Sequence, residues 1–132
     1  NSSELNVLRT LDNIEILAAK PIKKFTFQMT EEELAETKEM SANQLKEAVD
    51  KVMSGNYDLL VLDEALGSIE AGVLDENLLL DFLEKKPEKL EVVITGRFPS
   101  EKMIEAADYV SRIEKVKHPY DQGIPARKGI EK

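Results

Sequence analysis

Between Asn56 and Ser68 the chain reads NYDLLVLDEALGS: a polar turn, the apolar run Leu59, Leu60, Val61, Leu62, then two adjacent carboxylates, Asp63 and Glu64. A nearly continuous apolar run from Tyr57 to Leu62 predicts a strand covered on both faces, as in the centre of a parallel sheet. LEVVIT, from Leu90 to Thr95, predicts a second apolar strand. Thr30 with Glu33 forms a capping-box signature, and Leu45, Ala48, Val49 and Val52 then recur at helical spacing until Gly55, which predicts a long helix. Asp75 is placed to cap another helix that carries Leu78, Leu79, Phe82 and Leu83 inward and ends at Pro87. Ser100 caps a shorter one with Met103, Ile104 and Ala107 on its inner side.

NIEIL, from Asn13 to Leu17, and YVSRIE, from Tyr109, alternate as short strands do, whereas Pro21 in AAKPIKKFTFQM predicts an irregular loop. Strands alternating with helices imply an α/β protein with a parallel sheet and right-handed crossovers. The last stretch, KVKHPYDQGIPARKGIEK, has no usable period and is expected to be an ordered loop.

A length of 132 residues predicts one domain spanning the whole chain. With 18 Lys plus Arg against 26 Asp plus Glu, the formal charge is −8, and no dense basic cluster offers the phosphate neutralisation on which nucleic-acid binding relies. The absence of cysteine removes disulfides, thiolate metal sites and cysteine nucleophiles together. No apolar stretch approaches the roughly 20 residues that span a bilayer, and NSSELNVLRT lacks a signal peptide's apolar core. The expectation is a cytoplasmic protein that binds neither membrane nor nucleic acid.

An acidic pair at the carboxyl end of a buried parallel strand stands where open α/β sheets bind ligands, and a carboxylate there can hold magnesium on ATP phosphates. The alternative is that Asp63 and Glu64 are simply the first solvated residues after a strand. The phosphate-cradling run G-x-x-x-x-G-K-[ST] is not present in these residues: Gly67 and Gly72 have its glycine spacing, but Val73 and Leu74 follow where lysine and a hydroxyl belong. Arg97, in TGR, should share the sheet edge with Glu64 and could pair with phosphate, or be an ordinary surface arginine after a glycine turn. Phe25 and Phe27 flank Thr26; in an extended segment their rings would form one apolar wall for a flat ligand, or they fold into the core. His118, the single histidine, excludes a multi-histidine metal site and is more simply a structural hydrogen-bonding group than a general base.

Taken together, YDLLVLDE, VVITGR, AADYV and KHPYDQGIPARKGIE, with NSSEL and FTF nearer the start, resemble the ATP:corrinoid adenosyltransferases in order and spacing. That resemblance implies a three-layer parallel sheet of the phosphate-loop nucleotide-binding type, truncated at the N-terminus so that the first strand, glycine-rich loop and first helix are missing. It implies transfer of the 5′-deoxyadenosyl group from ATP to the cobalt of a reduced corrinoid, with release of the triphosphate. Glu64 matches the magnesium-binding carboxylate with Asp63 beside it, and Phe25, Thr26 and Phe27 match the aromatic loop that closes on the corrinoid's lower face. Arg97, Lys117 and His118 match motifs toward the nucleotide end. ATP, Mg2+, a corrinoid substrate, a flavoprotein reductant and a homodimer belong to the same expectation. Two departures stand out: Phe27 occupies a position where tryptophan is common, and the acidic pair lacks the Asn or Thr that usually follows it.

Three functions follow. The first is an adenosyltransferase portion inactive by itself for want of the phosphate loop. The second is a non-catalytic paralogue that binds corrinoid or a partner. The third is a piece of another phosphate-loop ATPase, which leaves FTF and the KHP segment unexplained.

Overall fold

Three side-chain caps set where the main helices begin. The Thr30 hydroxyl accepts the Glu33 N–H at 3.1 Å, the Asp75 carboxylate accepts the Asn77 N–H at 2.9 Å, and the Ser100 hydroxyl accepts the Met103 N–H at 3.1 Å. Each satisfies a donor that the first turn leaves open, which is why the polar residue and not the apolar run fixes the start. The computed structural model describes residues 3–17 and 24–132. Within them the order is α1 (Glu4–Leu8), a short 3-10 turn (Thr26–Gln28), α2 (Glu31–Met53), β1 (Leu59–Leu62), α3 (Ala65–Glu70), α4 (Glu76–Lys85), β2 (Glu91–Ile94), α5 (Glu101–Ala106) and a second 3-10 turn (Pro119–Gln122). Among the described residues no helix is long and apolar enough to cross a membrane.

The chain divides into two compact units, one formed by Ala19–Val110 and one by Asn1–Ala18 with Ser111–Lys132. The first has an α/β architecture. Its β1 and β2 pair in parallel, Leu59 against Glu91 through Leu62 against Ile94, in a two-stranded sheet. The core gathers Leu45 and Val52 from α2, Leu79 and Phe82 from α4, Leu90, and Met103 from α5. Leu79 is fully enclosed. Leu60, Leu62, Val92 and Ile94 pack onto this cluster from the sheet. Val73 is also buried, so a lysine at that position would have to enter the core, which agrees with the failed phosphate-loop spacing.

The structure corrects several sequence expectations. β1 is covered on one face only: Leu59 and Val61 are each 53% exposed, and Val93 is exposed on β2, because among the described residues nothing packs on that side. NIEIL and YVSRIE form no strand. Ile14 and Leu17 are exposed, as are all residues from 109 to 114, and an alternating segment without an edge to pair with gains neither ladder bonds nor burial. In α5 only Met103 turns inward, whereas Ile104 and Ala107 are exposed. An additional helix, α3, follows the acidic pair directly. Pro21 and its neighbours lie outside the described residues.

In the other unit, α1 is joined to the chain end by the Ser3 hydroxyl, which donates to the Lys132 carbonyl at 3.0 Å. Arg127 and Glu131 form a clasp, with Nη2 to Oε1 at 2.8 Å and the Arg127 N–H to Oε2 at 2.8 Å. The Arg127 guanidinium holds the Glu131 carboxyl down to about 2 from the usual 4.5. Because the folded value is depressed, the clasp's contribution is complete above pH 4.5 and is lost as pH falls toward 2.

Two predictions follow from this packing. In an NMR titration the Arg127 amide shift should change in step with Glu131 near pH 2 and not near 4.5, and Glu131→Gln should abolish the change. Gly96, at φ 144°, leaves no room for a Cβ, which would stand 2.6 Å from Leu66 Cβ. Gly96→Ala should therefore cost roughly 2–4 kcal/mol in urea unfolding, from strain and overpacking combined. Gly55, at φ 85° with open space around it, is the control, and Gly55→Ala should cost only about 1 kcal/mol.

Candidate functional site

Parallel pairing brings the ends of β1 and β2 to one edge, so Asp63 and Glu64 leave the sheet beside Thr95, Gly96 and Arg97. The register continues one step past the strands, with the Thr95 N–H donating to the Leu62 carbonyl at 3.2 Å. The chain then turns sharply. Glu64 takes the left-handed conformation, φ 57° and ψ 21°, unusual for a residue with a side chain. Its N–H donates to the Thr95 hydroxyl at 2.9 Å, and that hydroxyl donates to Asp63 Oδ1 at 2.9 Å. Below them the Leu66 N–H reaches the Thr95 carbonyl at 3.3 Å, and the Gly67 and Ser68 N–H groups return to the Glu64 carbonyl at 3.0 and 3.3 Å.

The Glu64 carboxylate is exposed and accepts no hydrogen bond among the described residues; its Oε2 lies over Gly67, 3.6 Å from where a Cβ would stand there. Arg97 is exposed at the same edge and forms no ion pair among the described residues. The edge thus combines one committed carboxylate, one free carboxylate and one free cation. Among the described residues no three His, Asp or Glu groups cluster as a complete metal cage. An exposed carboxylate without a partner, such as that of Glu64, is chemically suited to a hard cation whose remaining oxygen ligands come from elsewhere.

Phe25 and Phe27 stack with centroids 5.4 Å apart and planes 5° from parallel, and they are 69% and 81% exposed. The core alternative for these rings is therefore excluded. The premise of an extended segment is corrected as well: Thr26–Gln28 is a 3-10 turn, closed by the Gln28 N–H to the Phe25 carbonyl at 2.9 Å. The rings share a side because the turn and the stack bring them there. Lys24 ties the segment to α2 through Glu33 at 2.8 Å, and this ammonium holds the Glu33 carboxyl below its usual value.

Lys117 and His118 belong to the other compact unit. His118 Nδ1 accepts the Tyr120 N–H at 3.0 Å and caps the Pro119–Gln122 turn, so the ring proton of the neutral side chain sits on Nε2. Lys117 is exposed.

Thr95 is the residue that sequence reasoning missed. It reads as the end of a strand, and its partners are 31 and 32 positions away. The signal available was indirect, namely a hydroxyl aligned with an acidic pair at the ends of two apolar runs. A shallow groove between α2 and α4, on the helix layer and not at this edge, is lined by Ala42, Leu45, Val49, Met53, Leu78 and Phe82 together with Lys46, Asp81 and Lys85. Its lining is mainly apolar, whereas the edge holds a carboxylate and a guanidinium without partners among the described residues, so the edge is the better candidate.

Comparison with known proteins identifies the family. Residues 1–131 match the family described as ATP:corrinoid adenosyltransferase BtuR/CobO/CobP. A corrinoid adenosyltransferase of Sinorhizobium sp is 33% identical over 93 residues, covering 70% of this chain and 44% of that protein. One of Pseudomonas aeruginosa is 37% identical over 86 residues, 65% of this chain and 42% of the relative. One of Escherichia coli K12 is 33% identical over 76 residues, 58% and 39% respectively. The chain spans less than half the length of these curated relatives. With nearly every residue inside the family match, the chain belongs to the ATP:corrinoid adenosyltransferases.

Proposed function

We propose that these residues form part of a protein that transfers the 5′-deoxyadenosyl group from ATP to the cobalt of a reduced corrinoid. The observation that carries the reading is Glu64, a carboxylate without a hydrogen-bond partner among the described residues, turned out at the carboxyl end of a parallel strand. In the reaction the cobalt lone pair forms the bond to C5′ while the C5′–O bond breaks, and the triphosphate leaves with the electron pair. The chain's own part is positional. Glu64 would hold Mg2+, whose charge would offset that of the triphosphate leaving group. Asp63 and Arg97 complete the nucleotide edge, and for Lys117 and His118 the family motifs imply a nucleotide-binding role.

Phe25, Thr26 and Phe27 take the corrinoid. Their exposed, stacked rings offer a flat apolar surface, and a stacked pair holds its own geometry by roughly 0.5–1.5 kcal/mol beyond area burial. Pressed against the lower face, that surface excludes a ligand from cobalt and makes Co(II) easier to reduce. A flavoprotein reductant, a homodimer and a three-layer phosphate-loop sheet complete the proposal. The uncovered apolar face of β1 and β2 supports the third layer. A non-catalytic paralogue that binds corrinoid or a partner is the second reading.

Two experiments separate the roles. With ATP, Mg2+ and chemically reduced cobalamin under anaerobic conditions, the 132 residues alone should form little adenosylcobalamin, and joining them to a relative's phosphate-loop segment should restore it. In the joined protein Glu64→Gln should lower the rate by at least roughly 10–100-fold for every corrinoid form, the loss that even an outer-shell partner of a metal produces. If the joined protein stays inactive although folded, the binder reading replaces the enzyme. Phe27→Ala should be impaired chiefly with Co(II) and a biological reductant and be rescued by prepared Co(I). Equal impairment in both forms would reduce the ring to packing or binding.

A further inference from the structure

The Thr95 hydroxyl has one proton and two lone pairs. Its proton goes to Asp63 Oδ1 at 2.9 Å, and a lone pair receives the Glu64 N–H at 2.9 Å. A single side chain at the end of β2 therefore touches both members of the acidic pair at the end of β1. The two bonds act differently. The first draws a carboxylate oxygen of Asp63 sideways onto the neighbouring strand. The second holds the peptide of Glu64 in its left-handed turn, φ 57° and ψ 21°, which breaks the alternation of the strand and leaves the carboxylate over Gly67 without a hydrogen-bond partner among the described residues.

We propose that Thr95 is a positioning residue that divides the pair, withdrawing Asp63 from cation ligation and presenting Glu64 as the carboxylate a divalent cation meets. This rests on the reading that a phosphate-bound cation is held at this edge. The hydroxyl acts through orientation and never touches the cation. The Thr95 backbone is fixed independently, by its N–H to Leu62 and its carbonyl to Leu66. Removing the hydroxyl should therefore leave the strand pairing in place and release only the direction of the two carboxylates.

The probe is Mn2+, titrated at substoichiometric amounts with and without ATP into the full 13C-labelled chain. Broadening is read separately at the carboxylate carbons of Asp63, Glu64 and, as a surface baseline, Glu47. In the wild-type chain Glu64 should broaden first, at roughly tenfold lower Mn2+ than Asp63, a difference of the size outer-shell groups produce. Thr95→Val, which keeps the shape and loses the hydroxyl, should reduce that preference to about twofold or less, and Thr95→Ser should keep it. Amide spectra report whether each variant is folded.

If Glu64 leads in the wild type and still leads in folded Thr95→Val, the positioning role is overturned while Glu64 as cation ligand stands. Loss of the preference in Thr95→Ser overturns it equally, because the hydroxyl is then not the cause. If Asp63 broadens with or before Glu64 in the wild-type chain, the division of labour fails without recourse to any variant. If neither rises above Glu47, the cation site itself fails and takes this inference with it.

Discussion

The corner at the carboxyl ends of the two strands depends on how closely two backbones approach at Gly96 and Leu66. With no side chain on Gly96, the Leu66 N–H reaches the Thr95 carbonyl at 3.3 Å, and α3 starts directly against the end of β2. That approach sets the spacing at which the Thr95 hydroxyl meets Asp63 and the Glu64 peptide. Leu66 also packs onto the core cluster, as do Leu62 and Ile94 at the strand ends, so the polar edge is attached to the interior on both strands and at the start of α3. The left-handed conformation of Glu64 is strained for a side-chain-bearing residue, and it is retained because bonds on both sides of it already determine the path of the chain.

What was legible in the sequence is what is local. Thr30, Asp75 and Ser100 cap helices because the donor each satisfies lies two or three residues on, and this spacing is visible in any linear reading. The apolar runs of β1 and β2 and the inward set of α2 carry enough period to be found as well. Pairing is a different matter. NIEIL and YVSRIE have the alternation of strands, yet a strand exists only against a neighbour, and the neighbour is not encoded in the alternation. The helix α3 went unread because ALGSIE is short, contains a glycine and starts from a left-handed residue instead of a capping side chain. The Phe25 and Phe27 rings share a side for a reason opposite to the one the sequence suggests, since a tight turn and not an extended segment aligns them. The role of Thr95 needed the register of two strands, which no single stretch of sequence contains.

The sheet sets a second constraint. Leu60, Leu62, Val92 and Ile94 face the helices, whereas Leu59, Val61 and Val93 face away and remain exposed. A one-sided sheet usually alternates apolar with polar residues, and here only Glu91 on the outer face follows that rule. The strands therefore have the composition of a doubly covered sheet with one cover present among the described residues. That mismatch is a physical property of the chain independent of any family, and it is what the three-layer arrangement proposed above would resolve.

The two candidate binding elements are built on opposite principles, and the difference suits what each would bind. The acidic edge is fixed by non-local bonds, with Thr95 reaching across more than thirty positions and Gly96 packed against Leu66. Phosphate and its cation require that kind of fixity, because charge stabilisation falls off steeply when a ligand is displaced. Among the described residues the aromatic turn is held by short-range bonds, within Phe25–Met29, from Lys24 to Glu33 at the start of α2, and from the Thr37 hydroxyl to Met29 Sδ. α2 itself is anchored in the core by Leu45, Ala48 and Val52, all in its second half. From Leu45 back to Glu31 the helix extends about 21 Å with no buried residue. The stacked rings thus stand at the far end of a helix secured at its other end, a mounting that under the proposed function would let the apolar surface meet a flat corrinoid without disturbing the polar edge.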